Sequence, residues 1–190
     1  MNKKKKIRQL LKEGVRIMFR SILFSLFLLV SISLEGNPMD REYHQLTSEQ
    51  KRLLQFAYSY GKEHDFGFSM AAIAWQESFV GDEIVPINLQ DPSAGLWHKN
   101  IYIALEESDD IPNNGLRLNM MAKRLIDNLE FAASFAVSDL EHWKEVRKGN
   151  WIDIWASYNA GQNYQSSRGQ QYAYAIKNKI KILRRYLPFQ

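Results

Sequence analysis

Ala71-Ala72-Ile73-Ala74-Trp75-Gln76-Glu77-Ser78-Phe79 is a helical run of small and apolar residues interrupted by one carboxylate. A carboxyl group packed among Ile, Ala and Trp loses solvation in its charged form. Its pKa is therefore expected to rise, so that it holds a proton near neutral pH. A general acid has that property. The plainer reading of Glu77 alone is a glutamate on a helix surface, and the segments around it decide between the two.

Working outward, the long segments show apolar residues at i, i+3 and i+4 with no sustained alternation, which predicts a nearly all-helical domain. Thr47-Ser48-Glu49-Gln50 offers a capping box for a helix running to about Lys62, with Leu53, Leu54, Phe56, Ala57 and Tyr60 as its inward stripe. The helix bearing Glu77 is expected to break at Gly81 and Asp82. Residues 80–118 hold three prolines, with helical character expected only around Ile101 to Glu106. A connection of that length inside a compact domain is usually functional. Two helices are expected between Gly115 and Arg147, and another from Trp151 to Ala160, stopped by Gly161. A polar loop over 162–168 and a basic helix from Gln170 to Tyr186 close the chain.

The amino terminus reads differently. Lys3, Lys4, Lys5, Lys6, Arg8, Lys12, Arg16 and Arg20 precede an almost uncharged apolar stretch over residues 22–34. That is the layout of a secretory signal, and it falls short of the roughly 20 residues that span a bilayer comfortably. Residues 1–36 are therefore expected to be a signal peptide or an uncleaved membrane anchor, with Met18 as an alternative start. Residues 37–190 form the exported domain, in the periplasm or cell envelope. The chain has 25 basic and 21 acidic residues. Residues 1–36 supply eight and two of them, leaving 17 and 19 and a net charge of about −2 on the remainder. The basic footprint of a nucleic-acid binder is absent from that remainder. With no cysteine, neither disulfides nor lipid attachment through an amino-terminal cysteine is available.

Three further segments follow Glu77-Ser78 in order: Gly95-Leu96-Trp97-His98, then Ala156-Ser157-Tyr158-Asn159-Ala160-Gly161, then Tyr172-Ala173-Tyr174-Ala175-Ile176. Between them, Asn128-Leu129-Glu130-Phe131-Ala132-Ala133-Ser134-Phe135 reads as an asparagine opening a helix of small and aromatic residues. Each motif alone is weak, but their order resembles the soluble-type lytic transglycosylases, over about residues 67–182. That family reads Glu-Ser, Gly-Leu-Met-Gln, Ala-Tyr-Asn-Ala-Gly and Tyr-Val. The resemblance implies a lysozyme-like helical domain with an active-site cleft, peptidoglycan glycan strands as substrate, and no cofactor.

On the same resemblance Glu77 is the single catalytic acid and base. Ser78, Gly95, Leu96, Trp97, His98, Tyr158, Asn159 and Tyr172 are the substrate-binding set. Gly95 is expected where backbone passes close to the glycan. Trp97 and His98 depart from the family's Met and Gln, the indole being suited to stacking on a sugar face. Tyr174 competes with Tyr172 for its place. Asp82, Glu83 and Asp91 are loop acids, any of which would turn the chemistry to goose-type hydrolysis by supplying a second carboxylate. A catalytically silent wall-binding or assembly module, or a local wall-opener partnering a secretion apparatus or envelope assembly, are the other settings. His44, His64, His98 and His142 show no metal-ligand spacing.

Overall fold

The computed structural model describes residues 38–82, 87–88, 91–108, 111 and 116–187. The expected export segment, residues 1–36, lies outside them. Among the described residues, no helix is long and apolar enough to cross a membrane. The chain divides into a unit ending at His44 and a second beginning at Gln45. The first contains all but the last residue of helix α1, Pro38–Gln45.

The second unit is mainly helical, as the spacing predicts. Helix α2 (Ser48–Lys62) opens on the expected capping box: Thr47 Oγ1 accepts the Gln50 N–H at 3.1 Å, and the Gln50 side chain accepts the Thr47 N–H at 2.8 Å. Its buried face is Leu53, Leu54, Ala57, Tyr58 and Gly61. Phe56 and Tyr60, expected inward, are half-buried and pack on each other at 6.0 Å. The rotation follows from Gly61, where a Cβ would stand 2.6 Å from Met70 Cγ. This bare position is where the next helix crosses closely.

That next helix, α3 (Gly67–Ser78), is enclosed on nearly every side. Ala71 to Ala74 have no exposed surface and Trp75 has 1%. A helix apolar all round belongs in a core, and α3 packs most extensively against α2 and the last helix. Between α3 and the next helix lie three short antiparallel strands in the order β1 (Ile87–Asn88), β2 (Asp91–Ala94) and β3 (Lys99–Asn100). Ile87 pairs with Pro92, and Ser93 with Asn100. Strands of two to four residues are too short to display a period of two, and a proline argues against a strand. The sheet is therefore invisible in the sequence.

Asn100 then caps α4 (Ile101–Glu106), accepting the Tyr102 and Ile103 N–H groups on its side chain at 3.0 and 3.2 Å. Asn128 ends α5 (Arg117–Asp127) and caps α6 (Leu129–Val146), accepting the Phe131 N–H at 2.9 Å. Helix α7 (Trp151–Ala160) stops at Gly161, whose φ is 57°, and passes into a short 3-10 turn, Gly161–Asn163. Helix α8 (Ser167–Tyr186) starts three residues before the expected Gln170, because Ser166 caps it by accepting the Gly169 N–H at 3.2 Å.

Candidate functional site

Glu77 sits in the last turn of α3, where the helix is forced to stop. Phe79 and Val80 both adopt left-handed backbone, at φ 49° and 57°. Ser78, fully buried, makes this end rigid. Its hydroxyl faces the Ala74 carbonyl at 3.1 Å and the Leu96 carbonyl at 2.9 Å as donor, and accepts the Gly81 N–H at 3.1 Å. The contact with Leu96 fastens the Gly95–His98 turn to α3. Trp97 fastens it again, with its Nε1 donating to the Met70 carbonyl at 3.0 Å.

Gly95 makes the turn possible. Its φ is 81°, and a Cβ there would meet the Leu125 carbonyl oxygen at 2.4 Å. His98 closes the turn by donating its N–H to the Gly95 carbonyl, and it does so at φ 48°, a strained value for a side-chain-bearing residue. The strain brings its imidazole to the carboxylate: His98 Nδ1 lies 3.8 Å from Glu77 Oε2.

The Glu77 side chain, 17% exposed, opens onto a cleft of about 570 Å³ that His98, Tyr158 and Asn159 also line. Tyr158, on the last turn of α7, directs its hydroxyl toward the Trp97 carbonyl at 3.4 Å. Burial raises the pKa of this phenol well above its ordinary value, with the charges of Asp139 and Glu77 adding to the effect. Tyr172 stands behind the carboxylate on α8, 8% exposed. Burial, then the Glu77 charge, lifts its pKa well above the ordinary value too. Its hydroxyl makes no hydrogen bond of ordinary geometry, and its weak contact with Glu77 is as donor to the carboxylate. Both phenols therefore stay protonated, as donors, through the neutral range. Tyr174 is on the outer surface, 54% exposed.

Several expected substrate contacts are displaced by this geometry. Ser78, Gly95 and Leu96 do not line the cleft: the first is a buried clamp, the second presses against helix α5, and the third is 1% exposed. Trp97 meets the cleft, but its indole is buried and bonded to α3, so it offers no stacking face. A half-buried indole that does line the cleft, beside the Tyr158 ring, is Trp143 of α6. Tyr172 touches the carboxylate's surroundings and not the cleft surface. Of the loop acids, Asp82 accepts a hydrogen bond from Gln50 at 3.0 Å and does not line the cleft. Glu83 and the Asp91 side chain lie outside the described residues.

The second carboxylate in the cleft is Asp139, on α6. The buried Lys99 ammonium holds it at 2.9 and 3.2 Å, and also pairs with Glu107 at 3.0 Å. Burial raises the Asp139 pKa, and Lys99 offsets part of the rise. The signal that would have found it is spacing: Asp139 falls four residues after Phe135 and seven after Ala132, on the buried stripe of α6. An acid on an apolar helical stripe is the same cue that singled out Glu77. Lys99 carries no comparable cue. Among the described residues, no three or more His, Asp or Glu side chains gather as a metal site.

Fold and site together define a mainly helical protein with a half-sheltered glutamate on the floor of a cleft, flanked by a histidine and two tyrosines. The chain is similar to an uncharacterized 20.7 kDa protein from the vs-regB intergenic region of Enterobacteria phage T4. The two are 23% identical over 175 residues, which cover 82% of this chain and 90% of the phage protein. No family model and no solved structure matches the chain.

Proposed function

We propose that the protein is an exported lytic transglycosylase with a lysozyme-like domain, cutting the β-1,4 bond between N-acetylmuramic acid and N-acetylglucosamine in peptidoglycan. The observation that carries this reading is the convergence of Glu77, His98 and Tyr158 on one cleft, with Tyr172 behind them. The four come from three motifs and the catalytic helix in the order that the resemblance implies. Glu77 gives its proton to the bridging oxygen as the bond from C1 breaks and the sugar takes on oxocarbenium character. The muramoyl C6 hydroxyl oxygen then bonds to C1 and its proton returns to Glu77, so no water is consumed. Trp143 offers a ring face for a sugar, and Asn159 offers amide contacts to its acetamido group.

Glu77→Gln keeps the shape of the side chain and removes the proton. We expect turnover of purified sacculi to fall by at least about a hundredfold, with an unchanged circular dichroism spectrum and melting temperature. Retained activity in a folded Glu77→Gln protein overturns the proposal.

Asp139 favours a second reading, in which it takes a proton from water and the enzyme hydrolyses the bond as a goose-type muramidase does. Mass spectrometry of the products separates the two, because anhydromuramoyl and reducing ends differ by one water. A folded protein that binds sacculi and releases neither would be a wall-binding module.

A further inference from the structure

A separate cavity, of about 360 Å³, opens at the amino-terminal end of α3 and shares no lining residue with the cleft. Gly67 at this end and Glu77 at the other are a helical rise of about 15 Å apart. Five aromatic rings line the cavity: Tyr58, Phe66, Phe68, Trp151 and Trp155. Their neighbours hold them in place. Trp155 donates its Nε1 hydrogen to the buried Ser69 hydroxyl oxygen at 3.0 Å. Trp151 lies 5.7 Å from Trp155 between ring centroids and meets Phe66 edge-on at 6.0 Å, and Tyr58 lies 4.8 Å from Phe68. Trp151 still leaves 36% of its surface open. A concave, mostly aromatic site of this volume with a few charged groups is the common form of a small-molecule site.

The charges decide which kind of molecule fits. Lys62 and Arg184 line the cavity together with one acid, Asp65. Arg184 is exposed, makes no ion pair among the described residues, and holds its guanidinium carbon 5.5 Å from the centre of the Phe68 ring. Gly67, Phe68 and Ser69, the first turn of α3, also line the cavity, and no side chain caps that turn. The positive end of the helix dipole therefore adds to the two cations. Together they outweigh the single carboxylate, so a cation, the ordinary guest of an aromatic cage, is repelled and an anion is attracted. A guanidinium receives a carboxylate or a phosphate in a two-pronged geometry. We propose that this cavity binds a small molecule built of a flat ring with an attached carboxylate or phosphate, the ring against Trp151 and the anion on Arg184. The site does not depend on the glycan-cleaving reading.

The test titrates the full chain with naphthoate and with naphthyl phosphate, following the tryptophan indole N–H signals by NMR. Naphthylmethylammonium, acetate and inorganic phosphate are the controls. At least one naphthyl anion is expected to move the Trp151 and Trp155 signals, with a Kd at least about tenfold below that of the naphthyl cation. Arg184→Ala should weaken this binding about fivefold, the scale of one exposed charge pair, and Arg184→Lys should recover part of the loss. Trp151→Ala should weaken it about tenfold, through the lost ring contact. Both side chains are exposed, so these variants should keep the wild-type circular dichroism spectrum. Four results overturn the proposal: neither naphthyl anion moves the two signals at millimolar concentration, the naphthyl cation binds as tightly, acetate or inorganic phosphate binds as well as its ring-bearing counterpart, or the affinity survives either substitution to alanine.

Discussion

At the residue level, two side chains of the site are held at a cost to the fold. Tyr172 is the clearest case, a phenol 8% exposed whose hydroxyl lacks an ordinary hydrogen bond. An unpaired buried hydroxyl is a cost to the fold. Tyr172→Phe should therefore leave stability unchanged or raise it by about 1 kcal/mol, read from urea unfolding. On the proposed function the same change lowers turnover by about tenfold or more, because a donor aimed at the reacting carboxyl is gone. Activity and stability moving in opposite directions would mark Tyr172 as a positioning residue. A loss of both would mark it as core. His98 belongs to the same pattern, since its left-handed backbone is a strain whose visible return is an imidazole 3.8 Å from Glu77.

Among the elements, the site depends on one turn being nailed to one helix. Leu96 and Trp97 reach α3 through the Ser78 hydroxyl and the Met70 carbonyl, and Gly95 lets the turn press against α5. Gly95→Ala would place a methyl group 2.4 Å from a backbone oxygen, in a backbone conformation that alanine disfavours. We expect about 2–4 kcal/mol of destabilisation, measured by urea or thermal unfolding. Such a fall would separate a structural glycine from one that a ligand approaches. The Gly-Leu motif is thus readable in the sequence while its purpose is not. The motif announces a close approach, and only the fold says that the neighbour is α5. The Trp97 reading fails for the same reason: an aromatic residue beside a presumed cleft looks like a sugar platform until its ring is found bonded inside the core.

For the second unit as a whole, the electrostatic weak point is the Lys99–Asp139–Glu107 group in the cleft wall. Burial raises the folded-state pKa of Asp139 above the ordinary 3.8, even with Lys99 pulling the other way. The folded state therefore binds this proton more tightly than the unfolded chain does. The Asp139 contribution to stability should be most favourable below pH 3.8 and decline as pH rises from there through its raised folded pKa. Urea unfolding across that window, with Asp139→Asn as the reference, should show the wild type losing ground as pH rises. A difference that grows instead would mean that Lys99 outweighs burial.

The helices were legible because each has local causes: the capping box at Thr47, the cap at Asn128, the stop at Gly161 and an apolar spacing that repeats over several turns. Glu77 was legible too, as a charge where the pattern asks for an apolar side chain. The three-stranded sheet was not, since strands of two to four residues carry too little pattern to read. Nor was the sorting of the motif residues. Ser78, Leu96 and the Trp97 indole went to the core, Tyr172 went behind the carboxylate, and Asp139, Lys99, Trp143 and Arg168 came into the walls from helices and strands far apart in the chain. Local sequence specifies which segments coil and where they stop, through interactions spanning about four residues. Which side of each helix faces a cleft is settled by contacts between distant segments, such as Gly61 against Met70 and Gly95 against Leu125, and those exist only once the chain has packed.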